Sequence, residues 1–320
     1  MIHISGLGVA GSYLFRRLND DGFDVSAYDP KREGYYLPCG YATNEFLLDT
    51  YLNNIGMGIG EYVLSRAQNV IFSGHNFGEI SFNARGMCTI EKKRLEEDMV
   101  RGLHRGASAK MENADVMVDA TGISRALLGP HPEDYRMYAR EYLSPGSAHD
   151  DFYFYFFEGG HGYFWEFPLG GKYHVGAGSD SLEIINEKLS GYAREVVTGR
   201  MIRLAPLFDN VSRGNIIGVG EAVGTVSPIS GEGIVPSIKS AEFLFQALKK
   251  HSEPERIAED YKAKLFREFG YYEKLRALVY KIQSGTKLGL SDLSSARLAK
   301  KDLEMFGIDF KMSKVIRHFL

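Results

Sequence analysis

The chain has 320 residues, 44% of them hydrophobic and 25% charged, with a formal net charge of -3. That balance suits one large domain or two interleaved ones, and it excludes a disordered or fibrous protein. With no basic stripe among the aromatics it gives no case for nucleic-acid binding, and two cysteines, Cys39 and Cys88, are too few for a disulfide framework.

Met1–Ser5 reads as a short buried strand, followed by Gly6-Leu-Gly-Val-Ala-Gly11 and a helix with Ala10, Leu14 and Leu18 on one face. This is the context a dinucleotide fingerprint requires. Gly6 makes the tight turn, Gly8 lets backbone approach a pyrophosphate, and Gly11 lets the helix pack on the strand. A second strand, Asp24–Asp29, ends about eighteen residues beyond Gly11 in an acid placed to take ribose hydroxyls. These pieces predict an ADP-containing cofactor, either NAD or FAD.

Residues 30–85 are less regular. Cys39, followed by Gly40, reads by itself as a small buried apolar residue, and the glycines at 56, 58 and 60 read as turn or packing residues. Thr89–Leu103 predicts an amphipathic helix with Leu95, Met99 and Leu103 inward; its cations Lys92, Lys93 and Arg94 either reach a pyrophosphate or form a solvated face. Ala114–Gly122 is an apolar strand delivering the small turn Ala120-Thr-Gly122 to the cofactor.

From Asp150 aromatic strands alternate with glycine turns, which predicts an antiparallel sheet. The two-residue period puts Tyr163, Trp165 and Phe167 on one face, a wall for a long apolar or planar ligand. Asn215–Ile234 then reads as strand, glycine-rich turn and helix start, with Glu221 in the turn and Pro236 in the first helical turn. Such a turn either cradles an electron-rich ring or is an ordinary strand-to-helix loop. The tail from about 252 is helical, with turns near Gly285 and Gly307. Its end, Lys311–Leu320, reads as a docked helix, with contact to a membrane surface as the alternative. No apolar run spans a bilayer, a signal peptide is not expected, and a cytoplasmic location follows, peripheral at the membrane in the alternative. The nine histidines show no metal-ligand spacing.

Taken together, the motifs resemble the geranylgeranyl reductase family, within the FAD-dependent oxidoreductases that include aromatic hydroxylases and flavin halogenases. The most specific part is Tyr163-Phe-Trp-Glu-Phe-Pro168, which fits that family's Tyr-x-Trp-x-Phe-Pro motif. The resemblance implies an α/β fold in which a Rossmann-like FAD-binding domain with a parallel sheet (1–125 and 205–250, with 30–85 partly substrate-facing) is interleaved with an antiparallel substrate subdomain (126–204). A helical C-terminal region (251–320) follows.

It also implies that Gly6, Gly8, Ala10 and Gly11 cradle the FAD pyrophosphate and Asp29 holds the adenosine ribose. Cys39-Gly40 lies beside the cofactor, Lys92 takes the place of a cofactor-contacting Arg, Ala120 lies in the small turn, Glu221 replaces the usual Asp, and Gly233 and Ile234 meet the isoalloxazine. Tyr163, Trp165 and Phe167 would face substrate, with Tyr163 and Cys39 as candidate proton donors. The expected reaction is reduction of prenyl carbon–carbon double bonds by hydride from flavin N5, with NAD(P)H or a small redox protein as electron donor. An oxygen-using hydroxylase or halogenase and a non-catalytic flavin-binding protein are the alternatives. The helix at 92–103 and the strand at 115 stand only about a dozen residues apart, where that family inserts a small β-meander.

Overall fold

A computed structural model describes all residues except 32–38, 76, 104–105, 107, 109–112, 285–291 and 312–320. The first half of the chain runs β1 (Ile2–Ser5), α1 (Val9–Asp20), β2 (Val25–Tyr28), β3 (Ala42–Asn44), α2 (Glu45–Asn53), β4 (Val63–Arg66), β5 (Asn69–Gly74), β6 (Phe77–Asn83), β7 (Met87–Ile90), α3 (Lys92–Met99) and β8 (Val116–Asp119). The second half runs β9 (Arg136–Ser144), β10 (Phe152–Phe156), β11 (Gly162–Pro168), β12 (Tyr173–Ser179), α4 (Leu182–Leu189), β13 (Val196–Arg203), β14 (Ser212–Arg213), β15 (Ile216–Gly218), α5 (Ile234–Lys250), α6 (Pro254–Phe269), α7 (Tyr272–Gln283) and α8 (Leu293–Met305).

The described residues form three sheets. The first, in the order β14-β15-β8-β1-β2, is parallel apart from the short β14. Ile2, Ile4, Val116, Val118 and Ile217 are buried in it, as expected of strands covered on both faces. Against it pack α1 and α5, joined by the Tyr13 hydroxyl donating to Glu242 at 2.8 Å.

The second sheet, β13-β9-β12-β11-β10-β5-β6, is antiparallel except where β10 and β5 run parallel. One face carries Phe72, Phe154, Trp165 and Phe167, packed with Phe306 beyond the end of α8. The opposite face carries Phe164, Tyr142 and Val175, covered by Ile185 and Leu189 of α4. A three-stranded sheet, β3-β7-β4, joins the two units.

One boundary differs from the sequence expectation. Thr89 and Ile90 belong to β7, paired with β3 and β4, and the helix starts at Lys92; β-branched side chains fit that buried strand better than a helix start. Strands β5 and β6, within the 30–85 stretch expected to be partly substrate-facing, pair in the second sheet. The C-terminal region is helical in α6, α7 and α8, and Gly307 adopts φ +97° where α8 gives way to a turn. The turn near Gly285 and the Lys311–Leu320 tail fall on or run into residues outside the described ones.

Candidate functional site

One cavity of about 1980 Å³ lies between the two large sheets. Ordinary small-molecule pockets hold roughly 300–1000 Å³, so this one has room for a dinucleotide and a second long ligand.

Its first end is the turn between β1 and α1. Gly6 sits at φ +96°, where a Cβ would lie 2.5 Å from the Ala120 carbonyl oxygen. A Cβ on Gly11 would lie 1.9 Å from the Gly6 carbonyl oxygen. These two glycines are demanded by the close packing of α1 on the strand ends. Gly8 differs: an added Cβ would meet only Glu96 Oε1 at 4.0 Å, and no side chain caps α1 there. The helix start is thus open toward the cavity, which is the arrangement an anionic phosphate requires. Gly6, Gly8 and Ala10 line the cavity, while Gly11 lies behind the turn.

Charged groups frame this end. Asp29 Oδ2 accepts the Leu7 backbone N–H at 2.5 Å, fixing the carboxylate against the turn. Lys31 Nζ donates to Glu96 at 3.2 Å and Lys92 Nζ to the same carboxylate at 2.5 Å. Burial by itself would lower the Lys92 pKa, but Glu96, with Cys39, overrides it and raises the pKa, so the ammonium stays charged. Farther along, Glu221 accepts from the Arg200 guanidinium and, at 3.0 Å, from the Arg203 backbone N–H. Arg203 is fully buried and pairs with Asp134 through two bonds of 2.7 Å, while donating to the carbonyls of Gly122, Ile123 and Glu221. It therefore ties the Ala120–Gly122 turn to the Glu221 turn.

In the middle of the cavity Cys39 and Gly40 stand against β11, where a Cβ on Gly40 would lie 2.7 Å from the Phe167 ring and 3.3 Å from Trp165 Nε1. Burial raises the Cys39 pKa, so the thiol is protonated at neutral pH. Across from it, the buried loop 226–234 runs into α5. Glu232 Oε1 accepts the N–H groups of Ile234 and Val235 at 3.1 and 3.0 Å and the Thr43 hydroxyl at 3.0 Å. The start of α5, expected to face a charged ring, is thus capped from within by a carboxyl. Burial pushes the Glu232 pKa up to about 8.

At the far end the wall is aromatic and aliphatic: Tyr163, Phe156, Phe157, Phe77, Met137 and, from α7, Leu278 and Val279. The Tyr163 hydroxyl donates to the Ser230 carbonyl, joining β11 to the loop before α5.

The structure therefore brings to one cavity Gly6, Gly8, Ala10, Asp29, Cys39, Gly40, Lys92, Ala120, Tyr163, Trp165, Phe167, Glu221, Gly233 and Ile234. Sequence reasoning missed Lys31, Glu141, Arg200 and Glu232. Glu141 did carry a signal, because it is in phase with Met137, Ala139 and Leu143 on β9, a charged residue at an inward position of an alternating strand.

No family model matches the chain. An uncharacterized protein of Methanocaldococcus jannaschii is 24% identical over 340 residues, spanning 85% of this chain and 90% of that protein. Among solved structures, a geranylgeranyl bacteriochlorophyll reductase-like protein of Thermoplasma acidophilum superposes with a TM-score of 0.72 at 15% identity, covering 95% of this chain and 98% of that one. A probable FAD-dependent monooxygenase of Pseudomonas aeruginosa gives 0.65 at 16%, covering 88% and 96%, and a myxobacterial chondrochloren halogenase, an FAD-dependent enzyme, gives 0.66 at 16%, covering 97% and 91%. The chain has the mixed α/β fold that these three solved structures share.

Proposed function

We propose that this chain is an FAD-dependent oxidoreductase that reduces prenyl, geranylgeranyl-type, carbon–carbon double bonds in a lipid or lipid precursor. One observation carries the reading: a single cavity has a glycine-turn nucleotide cradle at one end and an aromatic, apolar wall at the other. The residues fit the cofactor. Gly8 presents open backbone at the start of α1, Lys92 stays charged beside it, and Asp29 sits at the end of β2. When bound, reduced FAD supplies a hydride at N5.

The chain's own residues do the rest. Gly6, Gly8, Ala10 and Lys92 hold the pyrophosphate, backed by Gly11; Asp29 holds the ribose. Ala120, Glu221, Cys39, Gly40, Gly233 and Ile234 enclose the ring. The Tyr163, Trp165 and Phe167 face aligns the alkene and excludes water, which is where most of the rate advantage of such a site arises. Electrons come from NAD(P)H or a small redox protein, and the substrate is drawn from a membrane surface that the protein contacts peripherally.

The test is anaerobic incubation of the flavin-loaded, chemically reduced protein with a geranylgeranyl lipid, read by product mass. Gain of two hydrogens per double bond supports the proposal. Products carrying oxygen or halogen, formed only in air, overturn it in favour of a monooxygenase or halogenase, the classes to which two of the fold neighbours are ascribed.

A further inference from the structure

Glu141 is 1% exposed yet forms part of the cavity wall. Its surroundings follow from strand register. Glu141 of β9 stands opposite Thr198 of β13 and Gly176 of β12, and Gly176 stands opposite Trp165 of β11. Directly opposed residues of an antiparallel sheet share a face, so Thr198, Glu141, Gly176 and Trp165 form one row. Because Gly176 has no side chain, the indole lies over it: a Cβ there would be 2.2 Å from Trp165 Cζ2. The indole is thereby laid toward Glu141, near enough to lower the pKa of that carboxyl.

Two polar atoms of this row, Glu141 Oε2 and Thr198 Oγ1, are buried without a well-formed hydrogen bond among the described residues, and the Trp165 indole N–H acts on the Glu141 carboxyl at the limit of hydrogen-bond geometry. Such atoms are rare in native proteins and mark places where a ligand, a water or a proton is handled. The other carboxyl oxygen, Oε1, accepts the Cys39 backbone N–H at 3.4 Å and lies 3.6 Å from His174 Nε2.

We propose that Glu141, which lines the cavity beside Cys39, Gly40 and Trp165, is the acid that protonates the second carbon of the bound alkene, by direct contact or through one bound water. The inference rests on the reductase reading. One alkene carbon takes a hydride from the reduced cofactor, which supplies both electrons. The other takes the Glu141 proton, leaving a carboxylate that regains its proton from solvent.

The electrostatics agree with that role. Burial pushes the Glu141 pKa up to about 8, against the Cys39 N–H and the indole, which pull it down. The groups around it leave the acid without a fixed counter-charge. Burial lowers the His174 pKa to about 4, so the imidazole is neutral; the Cys39 thiol is neutral as well; Arg200 is turned to Glu221 and Lys92 to Glu96. A general acid is most effective when its pKa lies near the working pH.

The test uses the flavin-loaded full chain and E141Q. Infrared difference spectra taken across a pH titration should show a protonated carboxylic acid at pH 7 that is absent in E141Q. In anaerobic single turnover with a geranylgeranyl lipid, E141Q should bind flavin normally and slow alkene reduction by about 100-fold or more. Wild-type turnover should fall as pH rises through about 8, with E141Q pH-independent over that range. Unchanged turnover in E141Q, or an ionised Glu141 at pH 7, overturns the proposal while the reductase reading stands. Failure of the wild type to reduce any prenyl alkene removes both. Should E141Q not fold, the wild type decides: the acid band and the turnover must titrate together, and separate midpoints overturn the assignment.

Discussion

The Thr43 hydroxyl donates to Glu232 Oε1 at 3.0 Å, tying β3 to the loop that starts α5 across 189 residues of sequence. The same oxygen takes the first N–H groups of α5, so one carboxyl holds strand, loop and helix together. Replacing Glu232 by Ala removes the cap and strands a buried hydroxyl; the expected loss is about 1–3 kcal/mol in urea unfolding. E232Q keeps an oxygen acceptor and should lose less. The sign with pH follows from a folded pKa of about 8 against an ordinary 4.5. The stabilisation is full below 4.5 and is lost as pH rises through about 8, so wild-type stability should decline over that window and E232Q should decline less.

Gly8 and Gly11 separate binding from folding. G8A adds a methyl that meets only Glu96 at 4.0 Å, so thermal unfolding of the ligand-free protein should match wild type while flavin affinity drops at least tenfold. G11A drives a methyl into the Gly6 carbonyl; the protein should unfold several degrees earlier or accumulate insoluble. Isothermal titration with FAD and a melting curve for each variant check both.

Asp134 neutralises the fully buried Arg203. D134A leaves that guanidinium unpaired, at a cost of about 3–5 kcal/mol, whereas D134A with R203M should cost less than D134A alone. Burial raises the Asp134 pKa, but the hydrogen bonds from Arg203 and Arg136 outweigh it and hold the pKa below 3.8. This contribution is therefore present above 3.8 and lost as pH falls through the folded value. Acid unfolding monitored by circular dichroism should begin at higher pH if Arg136 is replaced by Ala.

Cys39, with its pKa raised by burial, should react slowly with iodoacetamide at pH 7 and faster as pH increases. Added FAD should protect it further, as peptide mass mapping would show. Rapid labelling at neutral pH in the presence of FAD would contradict both the raised pKa and the proposed placement of Cys39 beside the cofactor.

The two ends of the cavity were legible in the sequence to different depths. Gly6 and Gly11 declare themselves because each answers a local steric demand, Gly8 because it leaves the start of α1 open, and Tyr163, Trp165 and Phe167 because a strand has a period of two. Thr89 and Ile90 were misplaced into a helix because the charges that follow them dominate the pattern, while the pairing that makes them a strand comes from β3 and β4. The membership of β5 and β6 in the second sheet is likewise a long-range fact: β5 pairs with β10, more than seventy residues later. The phase of Glu141 with Met137, Ala139 and Leu143 marks it as inward within its own strand, whereas Glu232 acquires its character from burial by distant elements that no window of sequence around it contains.

The large cavity between the two sheets has a mechanical consequence. The two large sheets face each other across a space of about 1980 Å³. Close-packed interiors resist compression because they contain few voids; here whatever fills that space becomes part of the scaffold. On the proposed function, a nucleotide at one end and an apolar chain at the other would act as mortar between the two walls. The ligand-free form should be softer under pressure and cut sooner by proteases, with resistance returning in two separate increments as each end is filled.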